Sequence, residues 1–348
     1  MITLEQFISL SRDFNVIPLV KTLLADLHTP VSAYLALREE SVPSFLFESV
    51  ERDEKVGRFS FIGTSPRLSV RETRDGVVML DGREPRPLTG HLLDVLEQLS
   101  AGYRTAPAEI TDPLGYAGSS AEPLKGLTGG FVGYLGYNAV RYLESIRLPE
   151  HRLPGVDESR FDLFDTIIRF DHLQQSISII QNVFIGPGAD PKSQYDLARK
   201  RLEALELRLK RTPFGAQQFS YKPAGAPDPA ARERYQTSVE RAKRYIHEGD
   251  IFQVVLSRRQ TFEYSGDLFA VYRALRVVNP SPYLFYVDFG RTKMVGSSPE
   301  VLVRVQDGIV ELLPIAGTRP RGKDEAEDLR LEKELLNDQA ELARLESV

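Results

Sequence analysis

Three short stretches hold side chains whose types and placement suit chemistry on a small anionic molecule. Glu300 closes Gly296-Ser-Ser-Pro-Glu300, just ahead of an apolar run that reads as a strand. A carboxyl at such a strand end can be desolvated, which raises its pKa toward that of a useful general acid. Gln253 lies in Gly249-Asp-Ile-Phe-Gln-Val-Val-Leu-Ser257, among apolar residues expected to form a strand. A glutamine buried there must find hydrogen-bond partners. Pro314-Ile-Ala-Gly-Thr-Arg-Pro-Arg-Gly322 leaves a strand into a loop that holds Gly317, Thr318 and two arginines. Its backbone donors and guanidinium groups suit a carboxylate-bearing substrate. Each stretch alone is an ordinary strand end or turn; together they form one ordered set.

Two further stretches could line a small-molecule pocket. Glu48 and Ser49 end the apolar run Ser44-Phe-Leu-Phe-Glu-Ser-Val-Glu51. Asn279-Pro-Ser-Pro-Tyr-Leu-Phe-Tyr286 places two prolines before Tyr283 and Leu284, a rigid entry into an aromatic strand. The five glycines of Gly126-Leu-Thr-Gly-Gly-Phe-Val-Gly-Tyr-Leu-Gly136 tempt a phosphate-loop reading. No GK[ST] ending follows, so close backbone approach in a packed sheet is the expectation. His28, His91, His151, His172 and His247 are scattered and form no metal-binding motif.

Something must hold these stretches in place. The chain has 348 residues, 42% of them hydrophobic and 27% charged, enough for about two domains. Its net charge of −5 gives no basic excess for nucleic acid or an anionic membrane surface. Cysteine is absent, which removes disulfides, thiolate metal sites and cysteine catalysis and fits a reducing, cytoplasmic setting. No apolar run is long enough to span a membrane, and the N-terminus lacks the pattern of a secretory signal.

Residues 68–72 and 77–80 flank Asp75-Gly76, and residues 301–305 and 309–313 flank Asp307-Gly308; both read as hairpins. Residues 166–170 and 176–180 form a third pair of β-branched runs. Adjacent pairs of this kind imply antiparallel sheets and an α+β class. Helices are expected from Gln194 to Arg211 behind a Ser193 cap and from Asp228-Pro229 to Gly249. A third is expected from about Leu268 to Val278. Tyr235, Val239, Ala242 and Ile246 should lie on one face of the second helix. The Pro/Gly/Ala-rich residues 213–227 read as a linker.

Six motifs in order carry a resemblance: FESVERDEKVGRFSFIG (47–63), GGFVGYLGYNAVRYLE (129–144), GDIFQVVLSRR (249–259), NPSPYLFYV (279–287), GSSPEVLVR (296–304) and LLPIAGTRPRG (312–322). With them the chain resembles the anthranilate synthase component I family of chorismate-utilising enzymes. The resemblance implies a sandwich of antiparallel sheets with flanking helices. It also implies addition of ammonia to chorismate, loss of the C4 hydroxyl and elimination of pyruvate. Relatives that add water carry lysine at the place of Gln253, and aminodeoxychorismate synthases usually carry lysine at the place of Ala316. The glutamine and alanine here point to anthranilate, with aminodeoxychorismate synthase as the alternative. Glu300 takes the place of the family's general acid, and Gly317 and Thr318 that of its chorismate-contacting loop. Glu48, Ser49, Pro282, Tyr283 and Leu284 take the places of the allosteric tryptophan pocket. Ammonia would come from a glutamine amidotransferase component II, and Mg²⁺ would bridge the substrate carboxylate.

The match fades after Asp338. The family's first Mg²⁺-ligand glutamate aligns with Arg344 or, with the alignment shifted, with Glu341 or Glu346. The resemblance therefore implies a C-terminally truncated member, with an N-terminal region at 1–212, the linker, and a partial chorismate-binding domain at 228–348. Such a chain is expected to be catalytically inactive, leaving at most a tryptophan- or partner-binding remnant.

Overall fold

The computed structural model describes residues 1–49, 57–82, 84–107, 126–148, 155–211, 218–223, 225, 228–306, 308–313 and 317–339. Two antiparallel sheets dominate. The larger has seven strands in the order β1 (Val16–Leu24), β10 (Ser176–Phe184), β9 (Thr166–Asp171), β3 (Phe59–Thr64), β2 (Ser44–Glu48), β13 (Tyr283–Asp288) and β14 (Lys293–Ser298). The smaller runs β6 (Arg86–Leu88), β5 (Gly76–Leu80), β4 (Leu68–Thr73), β8 (Ser159–Phe164) and β7 (Gly130–Leu135). This is the expected antiparallel sandwich with flanking helices.

Side-chain alternation along each strand sorts the core into layers. In β10, Ile177, Ile179 and Val183 face a core shared with the helices Leu4–Leu10, Pro30–Leu37, Pro191–Leu209 and Phe269–Val278. Ile180, on the other face of that strand, joins Phe45, Ile167 and Val287 against Val132 and Phe164 of the smaller sheet. A third core packs the outer face of the smaller sheet on the helix Leu92–Ala101, through Val70, Met79, Leu92 and Val95. Between the sheets Arg160 donates from Nε to Asp162 Oδ1 (2.9 Å) and from Nη1 to the Phe289 carbonyl (2.9 Å). Burial pushes the Asp162 carboxyl above the usual range, against the pull of Arg160.

Local chemistry explains the element ends. The hairpin around Asp75-Gly76 forms as expected. Gly133 lies in β7 where an added Cβ would stand 1.9 Å from the Arg160 carbonyl oxygen, the close backbone approach anticipated for the glycine-rich stretch. Gly249 ends the helix Ala231–Glu248 in the left-handed conformation (φ 82°). The cap of Pro191–Leu209 is Asp190 and not Ser193: Asp190 accepts from the Lys192 and Ser193 amides, and Pro191 occupies the first turn.

The second half departs further from expectation. Beyond residues 213–227, β13 and β14 complete the sheet begun by β1 and β2. Within that linker, β11 (Phe219–Pro223) pairs with β12 (Phe262–Gly266). The helix after it starts at Ala231, and none of its residues is buried, the Tyr235–Ile246 stripe included. The hairpin expected across 301–313 shortens to β15 (Arg304–Gln306) and β16 (Ile309–Glu311). No described residue is buried between Leu209 and Phe269, or after Phe289. Among the described residues, those of the second half that are buried lie in Phe269–Val278 and in residues 281–289.

Candidate functional site

The strands β2 and β13 pair with Glu48 opposite Leu284, Phe47 opposite Phe285 and Leu46 opposite Tyr286. The period of two sends Glu48, Leu46, Leu284 and Tyr286 to the helix-covered face. Glu48 is 5% exposed and Leu284 1%. Above them lies Phe269–Val278, whose Tyr272 and Arg276 stand one turn apart and reach the same carboxylate. The Tyr272 hydroxyl donates to Glu48 Oε2 at 2.5 Å. Arg276 Nη2 donates to Oε1 at 3.1 Å. Arg276 Nε is 2.8 Å from Oε2, but its N–H has no well-aligned acceptor, so that contact is ionic. Burial, and after it the Glu48 charge, pushes the Tyr272 hydroxyl far above the usual tyrosine range and keeps it a donor.

An aromatic cluster holds this helix on the sheet. Phe269 lies 4.8 Å from Tyr34 and 5.0 Å from Tyr286, centroid to centroid, and Tyr272 is 5.3 Å from Phe269. Arg38 adds a bidentate pair to Asp267 (3.2 and 2.5 Å) and sits over the Phe269 ring. Burial opposes the Asp267 charge, yet the Arg38 hydrogen bond and the Phe269 amide together hold its carboxyl below the usual range.

Of the other pocket candidates, Ser49 is the first residue past β2, and its Oγ is buried with no hydrogen-bond partner among the described residues. Pro282 is buried and Tyr283 half-buried, its hydroxyl accepting from Arg304 Nη2 at 2.9 Å. The structure therefore brings Glu48, Ser49, Pro282, Tyr283 and Leu284 to one strand junction. Tyr272 and Arg276 were missed in the sequence; their i, i+4 spacing on a helix ahead of the Asn279-Pro280 stop was the available signal.

The expected catalytic residues are not assembled in this way. The segment 250–261 forms no strand, and Gln253 is exposed. A strand persists only where a neighbouring backbone pairs with it, and no described strand does. Glu300 is also exposed, two residues past β14, so the desolvation expected of it is not found. Gly317 is half-buried and Thr318 exposed. The arginines of that loop are occupied: Arg319 donates to Asp338 (2.6 Å), and Arg321 grips Asp328 with Nε (2.9 Å) and Nη2 (2.5 Å). Both partners belong to the helix Glu325–Leu336 or its end. Ala316, Arg344, Glu341 and Glu346 lie outside the described residues. Among the described residues no three acidic or histidine side chains gather in a group that could hold a metal. No described helix is long and apolar enough to cross a membrane.

Comparison with known proteins adds to this geometry. A family model for chorismate binding enzymes matches residues 94–343. Anthranilate synthase component 1 of Acetivibrio thermocellus is 37% identical over 98% of this chain and 67% of its own length. The same component from Thermus thermophilus is 41% identical over 94% of this chain and 65% of its own. The crystal structure of anthranilate synthase component I from Streptococcus pneumoniae superposes with a TM-score of 0.57 at 26% identity, covering 93% of this chain and 66% of that one. This chain thus spans about two thirds of the length of these relatives. With six ordered motifs, a matching sandwich and relatives alike over nearly all its length, the chain belongs to the chorismate-binding enzyme family, among proteins similar to anthranilate synthase component I.

Proposed function

We propose that the chain is the larger part of an anthranilate synthase component I. In that role it would add ammonia from a glutamine amidotransferase subunit to chorismate and release anthranilate and pyruvate, under feedback inhibition by tryptophan. The observation that carries the reading is the 37% identity over 98% of the chain to a protein of that name. Gln253 supports ammonia as nucleophile, since an amide side chain is no base for activating water. Glu300 is the proposed acid for the leaving hydroxyl, and the backbone at Gly317 and Thr318 the proposed contact for chorismate.

The described geometry favours a second, narrower reading for this polypeptide by itself. Gln253, Glu300 and Thr318 are exposed, whereas the Glu48–Leu284 junction is formed and buried. We therefore propose that the 348-residue chain binds tryptophan without turning over chorismate. Leu284 and neighbouring aromatic side chains would take the indole, and Ser49 would take a polar group of the ligand. The test is to incubate the purified chain with chorismate, ammonium and Mg²⁺ and follow anthranilate fluorescence. No signal above the uncatalysed background is expected. Measurable turnover would overturn the narrower reading, and 4-amino-4-deoxychorismate as product would overturn the anthranilate assignment.

A further inference from the structure

We infer that Tyr272 and Arg276 are positioning residues for the proposed tryptophan pocket, and that Glu48 is their anchor on the β2 wall rather than the ligand's counter-ion. The inference rests on the tryptophan reading above. Glu48 is the obvious acidic group for the ligand's ammonium, but both of its oxygens are engaged. Oε2 accepts from Tyr272 and lies against Arg276 Nε; Oε1 accepts from Arg276 Nη2. An ammonium brought to this carboxylate would meet the guanidinium beside it, and like charges at such range repel. The neighbouring Ser49 Oγ is buried and has no hydrogen-bond partner among the described residues.

The clamp fixes both walls of the junction together. Its helix holds β2 through Glu48, and the same helix runs through Asn279 directly into β13 and Leu284. Ser297 Oγ of β14 donates to the Asn279 carbonyl at 2.7 Å and lies 2.9 Å from Ser281 Oγ, so β14 is tied to the same turn. Glu300 follows two residues after β14 ends. A ligand seated at Ser49 and Leu284 therefore presses on an assembly whose spacing Tyr272 and Arg276 set.

Two ligands separate an anchor from a counter-ion: L-tryptophan, and indole-3-propionate, which lacks the ammonium. Calorimetric titrations of the parent chain, Tyr272→Phe, Arg276→Lys and Glu48→Gln give both dissociation constants, with a melting curve for each variant. Tyr272→Phe keeps the ring in its aromatic cluster and removes one hydrogen bond to a charged group. It is expected to weaken both ligands about tenfold while melting cooperatively. Glu48→Gln is expected to weaken both by a common factor and so preserve their ratio. Parent-like affinity for tryptophan in both Tyr272→Phe and Arg276→Lys would overturn the positioning role. Loss of tryptophan affinity alone in Glu48→Gln would make Glu48 the counter-ion and overturn the inference. If indole-3-propionate binds too weakly to titrate, the Tyr272→Phe shift with tryptophan decides. A folded parent that binds neither ligand would overturn the tryptophan reading itself, an outcome distinct from a parent that binds and variants that do not respond.

Discussion

Glu48 and Leu284 face each other across adjacent antiparallel strands, although most of the chain separates them in sequence. That pairing joins the N-terminal sheet to the strand after Phe269–Val278. It puts a buried carboxylate and a buried leucine on one face, under a tyrosine and an arginine that reach the carboxylate. A ligand site built there draws its two walls from opposite ends of the chain.

The aromatic cluster should carry much of that union. Tyr286 is buried and lies within 5.0–6.1 Å of Phe269, Tyr34 and Tyr272. Tyr286→Ala is expected to lower stability by about 3–5 kcal/mol, through lost contacts and the cavity left behind. Chemical denaturation measures this directly. A loss below about 1 kcal/mol would show that the cluster does not hold the two parts together.

The Arg38–Asp267 pair should make stability depend on pH in a defined direction. The folded Asp267 carboxyl titrates below its ordinary value of 3.8. A depressed carboxyl stabilises the fold above its unfolded pKa, and the contribution is lost as pH falls through the folded value. Asp267→Asn is therefore expected to cost about 1 kcal/mol at pH 7. Its difference from the parent should shrink as pH is lowered below about 4. An equal difference at pH 7 and in acid would contradict the pairing.

Gly133 makes a sharper test of the smaller sheet. A methyl group there meets the backbone carbonyl of Arg160, which cannot rotate away as a side chain can. Gly133→Ala should cost about 3 kcal/mol or leave the chain insoluble. A parent-like melting temperature would show that the two strands stand further apart.

Much of this architecture was legible in the residues. Asp75-Gly76 announced its hairpin, because a tight turn needs the positive φ that glycine supplies. The antiparallel class followed from β-branched runs in adjacent pairs. Non-local charge pairing was not legible: nothing in Ser44–Glu48 says that Glu48 will meet Tyr272 and Arg276. The apolar run 249–257 misled for a related reason, since its pattern suits a strand but a strand needs a partner backbone. The arginines of 319–321 looked ready for a substrate carboxylate. The acidic helix that follows, with Asp328 and Glu334, supplies carboxylates of its own.

The central claim is that the β2–β13 junction binds tryptophan, and calorimetric titration of L-tryptophan into the 348-residue chain tests it most directly. One saturable site is expected, with phenylalanine binding far more weakly. Ser49→Ala should weaken the affinity about twofold to tenfold, the worth of one hydrogen bond. Tryptophan at about 100 times its dissociation constant should stabilise the chain by about 2.7 kcal/mol. A soluble, cooperatively melting chain that gives no heat with tryptophan and no rise in melting temperature would contradict the account.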